Sequence, residues 1–204
     1  MLAVTEYHRP RAYTYAKRWA FARNPLFNDY TPFGGDCTNF ISQCLLAGSL
    51  QMNTTPTFGW YYQSDQNRSP SWTGVPFFYD FLVGNMGVGP FGRETDAAAL
   101  LVGDAVQLGR DENDFYHTLL VVGREGEDLL VAAHSDDAFA RPLSTYVYNL
   151  ARFLHIEGVR VELADAYADY ARLLDGIALP PSGSYRRVAE SNVSLPSGDT
   201  NREE

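Results

Sequence analysis

The stretch GGDCTNFISQCLLAG, residues 34–48, decides how the rest of the chain is read. Two glycines and an aspartate lead into an apolar run with helical spacing. Phe40, Ile41, Cys44 and Leu45 fall three, four, seven and eight residues after Cys37, on the same side of a helix. The spacing predicts a core helix from Cys37 to about Gly48, with Asp36 able to cap it and Cys37 in its first turn. A thiol at that position is favoured as a nucleophile. The helix N-terminus lowers its pKa, and free N–H groups there can hold the oxyanion of a tetrahedral intermediate. The alternative for Cys37 is a buried structural cysteine. Cys44, two turns deeper with no polar neighbour, is read as structural.

Upstream, RPRAYTYAKRWAFAR (9–23) predicts a helix with Pro10 in its first turn and a stop at Asn24-Pro25. A loop over 26–36 then reaches the central stretch. Downstream, residues 49–75 are irregular and polar but hold Trp60, Tyr61, Tyr62 and Trp72. That composition predicts a packed excursion, whose rings either anchor it to the core or line one wall of a groove. A helix follows over 76–83, then a glycine-rich loop over 84–92. That loop lacks the Lys-Ser/Thr of a phosphate loop. Strands are predicted at 104–108, at 118–122 and 128–133 as a hairpin, and at 153–158 as an edge. A last helix is read over 161–174. Helices first and an antiparallel sheet afterwards predict an α+β fold. The expected organisation is one domain over 1–179 and a loose Ser-, Gly- and Pro-rich tail over 180–204.

Composition narrows the function classes. A chain of 204 residues with 45% hydrophobic and 14% aromatic residues can bury one real core. A net charge of −9, from 25 acidic against 16 basic residues, repels phosphate backbones and argues against a nucleic-acid partner. No apolar run reaches the 18 residues of a membrane span. The first residues lack the apolar centre of a signal peptide. The expected location is therefore cytoplasmic, or secreted or cell-envelope if a leader was removed. Cys37 and Cys44 lie about 10 Å apart along one helix, which does not suit a disulfide.

A thiol nucleophile needs a base. His117 opens the first hairpin strand and His134 closes the second. A turn centred on Glu125-Gly126 makes them directly opposed, with Cβ atoms about 5 Å apart. One imidazole could then take the Cys37 proton while the other orients it. A register slip of one residue would turn one ring to the other face. Cys37, His117 and His134 could alternatively form a Cys/His₂ zinc site. No C-x₂-C or H-E-x-x-H pattern supports a metal, and no G-x-S-x-G elbow supports a serine nucleophile.

The segment GGDCTNFISQCLLAG resembles the nucleophile segment of the putative amidase domain family, which belongs with the papain-like thiol hydrolases and is similar to NlpC/P60 and CHAP cell-wall peptidases. YHRPRAYTYAKRWAFARNPLFNDY (7–30), GWYY (59–62), SPSWTGV (69–75), GDAVQL (103–108), HTLLVV (117–122) and AHSDD (133–137) follow in that family's order. The resemblance implies a nucleophile helix packed on an antiparallel sheet, with Cys37 as nucleophile, His117 as general base and His134 as orienting residue. It further implies that Asp36 recognises a substrate amine and that Tyr30 lines the oxyanion site. Independently of the resemblance, Trp60 and Trp72 are the rings of the excursion read as candidates to line the cleft beside Cys37. No cofactor is implied, and the implied substrate is an amide in bacterial cell-wall peptide. The alternative is a binding module that kept this fold and lost its chemistry. Thr38-Asn39 stands where the NlpC/P60 relatives carry Ser-Gly.

Overall fold

The computed structural model describes residues 2–161 and 166–178. The expected tail at 180–204 lies outside them. The elements run β1 (Ala3–Thr5), α1 (Arg9–Trp19), α2 (Cys37–Ser49), β2 (Tyr62–Ser64), β3 (Asn67–Arg68), α3 (Pro70–Thr73) and α4 (Val75–Gly84). Then come β4 (Gly89–Thr95), β5 (Ala105–Gly109), β6 (Phe115–Glu125), β7 (Asp128–Ala133), β8 (Ala138–Pro142), β9 (Leu150–Val161) and α5 (Ala166–Leu174). The result is an α+β domain with helices against a central antiparallel sheet.

The sheet has the order β1-β9-β5-β6-β7-β8, and β4 also pairs with β9. Leu154 pairs with both Glu94 and Ala105, and Val159 with both Pro90 and Thr5. A strand has two edges, so β4 runs along one edge of β9 while β5 and β1 follow each other along the other. The segment expected at an edge is therefore central. The glycine-rich loop ends earlier than its composition suggests, because β9 supplies a partner for Gly89–Thr95 that no local pattern announces. The last helix begins at Ala166, and Val161 belongs to β9.

Strand alternation divides the core in two. Ala105, Leu120, Val122, Ala132 and Leu154 face α1, α2 and α4 in one cluster. Val106, Leu108, Leu119, Val121, Val131 and Ala133 face the other way with Leu100 and Leu143. Helix α2 is the axis of the first cluster, with all thirteen of its residues buried. It ends at Leu50, which takes a left-handed conformation (φ 52°) and donates its N–H to Leu46 O.

The excursion after α2 is pinned to that helix. Trp60 and Trp72 are both 0% exposed. Trp60 Nε1 donates to Ser42 Oγ at 2.9 Å and Trp72 Nε1 to Asn39 Oδ1 at 2.9 Å, while Ser42 Oγ donates to Trp72 O at 2.9 Å. The two rings lie 4.9 Å apart. In this arrangement both rings anchor the loop to α2, the first of the two roles the sequence offered for them. Replacing Trp72 by Phe should keep most of the packing and strand one buried Asn39 acceptor. The expected cost is about 1–3 kcal/mol, read as a drop of several degrees in Tm. An unchanged Tm would mean that the indole hydrogen bond does not fasten the loop.

A buried carboxylate fastens α1 to the sheet. Asp104 accepts from Arg9 Nη1 at 2.6 Å, from the N–H groups of Leu101 and Ile156 at 2.9 Å, and lies 2.8 Å from His155 Nδ1. No helix among the described residues is long and apolar enough to cross a membrane.

Candidate functional site

Gly34 and Gly35, at φ 111° and 132°, carry the chain through a turn open to few other residues and deliver Asp36 to the start of α2. Cys37 is the first residue of that helix and is 7% exposed, so its thiol is almost covered. The thiol sits against β6. It lies 3.8 Å from Thr38 Oγ1, which is 3.0 Å from Thr118 Oγ1. Burial pushes the Cys37 thiol pKa up. The N–H of Thr118 and the hydroxyl and N–H of Thr38 pull it back down, and the Asp36 charge pushes it up again. Cys44 is wholly buried, and burial raises its thiol well above the ordinary value.

Asp36 does not cap α2 in the expected way, since its carboxylate takes no helix N–H. Oδ1 accepts from Tyr30 N–H at 3.0 Å and from Asn39 Nδ2 at 2.7 Å. Oδ2 lies 2.6 Å from His134 Nδ1 and 3.6 Å from Arg23 Nε. The Asp36 N–H donates to Ser135 Oγ at 2.6 Å. Asp36 is 0% exposed, and both its oxygens are engaged by groups of the chain itself.

The histidines do not pair. The β6–β7 turn places Glu125 opposite Asp128, so it is centred on Gly126-Glu127 and not on Glu125-Gly126. A bulge between Val121 and Gly123 then sets Leu120 opposite Ala132. Carried onward, this register aligns His134 with Thr118. His134 accordingly faces α2, stacking on Phe40 at 3.9 Å, with Nδ1 at Asp36 and Nε2 2.9 Å from Trp19 O. Both its nitrogens are occupied, and neither touches His117.

His117 pairs with Leu108 across β5–β6, and Leu108 belongs to the second cluster. Alternation thus assigns His117 to the face away from α2, where its ring lies 6.4 Å from Tyr116 and 6.0 Å from Tyr146. Among the described residues no hydrogen bond joins the Cys37 thiol to this ring. The two groups nevertheless flank one stretch of backbone, because Thr118, whose N–H meets the thiol, is the next residue. Nor are Cys37, His117 and His134 gathered into a group that could hold a metal, among the described residues.

Burial lowers the His117 pKa from 6.5 to about 4, with Asp136 opposing that shift and Arg141 adding to it. The ring is neutral at neutral pH. Between 6.5 and about 4 the unfolded chain holds more protons at this residue than the folded one. Stability from this group is therefore complete above that window and falls as pH drops through it, by up to about 3 kcal/mol. Urea unfolding at pH 7, 5.5 and 4.5 should show this slope, and His117→Phe should flatten it. Parallel curves for the two proteins would contradict the burial argument.

Tyr30 donates its hydroxyl to Asp65 Oδ1 at 2.8 Å, beneath the Arg68 guanidinium 4.5 Å from its ring centroid. Burial is the largest cause raising that hydroxyl well above its ordinary pKa. The hydroxyl is committed to the excursion loop in this arrangement. Sequence reasoning missed Arg23, Thr38, Thr118 and Ser135. Arg23 binds Asp137 in a bidentate pair at 2.9 and 3.0 Å, which ties the segment after α1 to the β7–β8 turn. Ser135 holds a left-handed backbone at φ 74°, unusual for a residue with a side chain. Its place beside His134 in AHSDD was the one available signal.

Residues 6–156 match the family described as Putative amidase domain. The match covers well over half of the chain, and the chain belongs to that family. It is also 33% identical over 141 residues to the uncharacterised protein YhbB of Bacillus subtilis (strain 168), covering 67% of this chain and 44% of that protein. The chain thus spans less than half the length of that relative. No solved structure matches it.

Proposed function

We propose that this chain is a cysteine-dependent amide hydrolase of papain-like, NlpC/P60-like architecture, with Cys37 as its nucleophile and a peptide amide of cell-wall type as its substrate. The observation that carries the reading is the Cys37 thiol at the first residue of a buried helix packed on an antiparallel sheet. Membership in an amidase family supports the reaction class.

The resting thiol is neutral, held so by burial. It needs a base, and His117 is the better fit of the two histidines on this hairpin. Its ring is neutral and carries no hydrogen bond among the described residues, whereas both nitrogens of His134 are taken. The proposed cycle requires the His117 ring, which stands on the other face of β6 in this structure, to reach Cys37 Sγ. His117 takes the thiol proton as sulfur bonds to the amide carbonyl carbon. The oxyanion is held by the Cys37 N–H, free at the helix start. The C–N bond breaks as His117 returns the proton to the leaving amine. Water, deprotonated by His117, then cleaves the thioester and releases the carboxylate and the thiol.

The test is to quench the protein in acid during turnover of synthetic peptide amides, including stem peptides with D-residues, and to weigh its proteolytic fragments. The expected result is the acyl mass on the fragment containing Cys37. Hydrolysis with that fragment unmodified and another residue acylated would overturn the assignment.

A further inference from the structure

His134 and Asp36 are fully buried, and the proposed mechanism uses neither. Their hydrogen bonds fix how many protons they hold. His134 Nε2 lies 2.9 Å from Trp19 O, a carbonyl that can only accept, so this nitrogen must carry a proton. His134 Nδ1 lies 2.6 Å from Asp36 Oδ2, and a contact that short between two bare lone pairs would be repulsive. A second proton must therefore lie between them. It does not sit on Oδ1, which already accepts from Tyr30 N–H and Asn39 Nδ2. A neutral imidazole beside an ionised carboxylate holds one proton in total and leaves one of the two contacts unmade in either tautomer.

We propose that Asp36 and His134 hold two protons between them, so that the pair is electrically neutral and screens Cys37 from the adjoining carboxylate. His134 is then a positioning residue that acts through Asp36, and not the group that orients His117. Arg23 Nε, 3.6 Å from Oδ2, favours the imidazolium–carboxylate form of the pair. Arg23 is itself balanced by Asp29 at 3.4 Å and Asp137 at 2.9 Å. The other groups facing the pair are Tyr15 from α1, whose hydroxyl stays neutral in its buried site, and Cys37 from α2. Phe40 covers the imidazole face, and Ser135 holds the Asp36 N–H. Without the second proton, a full negative charge would stand one residue from the thiol and oppose both the thiolate and the oxyanion.

Two measurements test this, and the first does not depend on the protein being an amidase. The chain has four histidines, so ring nitrogens can be observed by ¹⁵N NMR in the intact protein. The His134 signals are those lost in His134→Gln. At pH 7 both His134 nitrogens are expected to bear protons; one bare ring nitrogen would overturn the proposal. The second measurement is the rate of Cys37 alkylation by iodoacetamide, read on its proteolytic fragment. His134→Gln leaves Asp36 unneutralised and should slow alkylation at least about threefold. The double variant Asp36→Asn/His134→Gln removes the charge and should return the rate to within about twofold of the parent. A double variant as slow as the single would show that His134 acts only by packing.

Discussion

Cys37→Ala is expected to lose at least about a thousandfold in amide turnover while melting within a few degrees of the parent, and Cys44→Ala is expected to keep its turnover. The two thiols share one helix and differ in surroundings. Cys37 stands at the first turn, where helix N–H groups are free, with a small exposed surface and hydroxyl neighbours in Thr38 and Thr118. Cys44 is 0% exposed, and only apolar packing holds it. Truncating either removes one sulfur atom, at a cost of about 1 kcal/mol, which in a chain this long is roughly 2–4 °C of Tm. Stability therefore does not separate the two variants, and turnover does. Steady-state assays on a peptide amide together with thermal melts make the comparison. Turnover that survives Cys37→Ala with the fold intact would end the nucleophile assignment, and turnover lost in a folded Cys44→Ala would transfer it.

The contrast also shows where sequence reading works and where it stops. Helix α2 was legible because its apolar spacing, its Gly-Gly-Asp entry and its length are all local signals. Helices α1 and α4 and the β6–β7 hairpin were legible for the same reason, whereas α3, inside the stretch read as irregular, was not. β4 and the central place of β9 were not, because strand pairing over sixty residues leaves no local trace. At the site, one residue of register made the difference. The turn and the bulge at Val121–Gly123 together shift the expected alignment by one, which parts His117 from His134 and turns their rings to opposite faces. Neither feature has a distinctive sequence mark, since Gly123 and Gly126 are both compatible with several turns. Burial was the other hidden quantity. Asp36, Trp60 and Trp72 carry the polar and aromatic chemistry of a binding cleft, and each spends it on α2 and its neighbours.

The largest loss of stability is expected from Asp36→Ala. Its carboxylate is the shared acceptor of the Tyr30 N–H, Asn39 Nδ2 and His134, with Arg23 at its edge. Truncation leaves a buried imidazole N–H, a buried side-chain amide and a buried backbone N–H without their acceptor. Removing one partner of a buried pair costs about 3–5 kcal/mol, or roughly 6–20 °C of Tm at this chain length. Asp36→Asn keeps an acceptor for Tyr30 and Asn39 and should lose less. Its amide still cannot serve both its own donors and the His134 N–H. Asp65→Ala is the matched surface control, since Asp65 also accepts from a tyrosine and faces an arginine but is 56% exposed in its side chain. Exposed pairs are worth about 0–1 kcal/mol, so this variant should melt close to the parent. Thermal melts of the three variants at pH 7 decide the matter. If Asp36→Ala and Asp65→Ala melt together, the network under α2 adds no more to stability than a surface pair, and the entry to the nucleophile helix must be held by apolar packing alone.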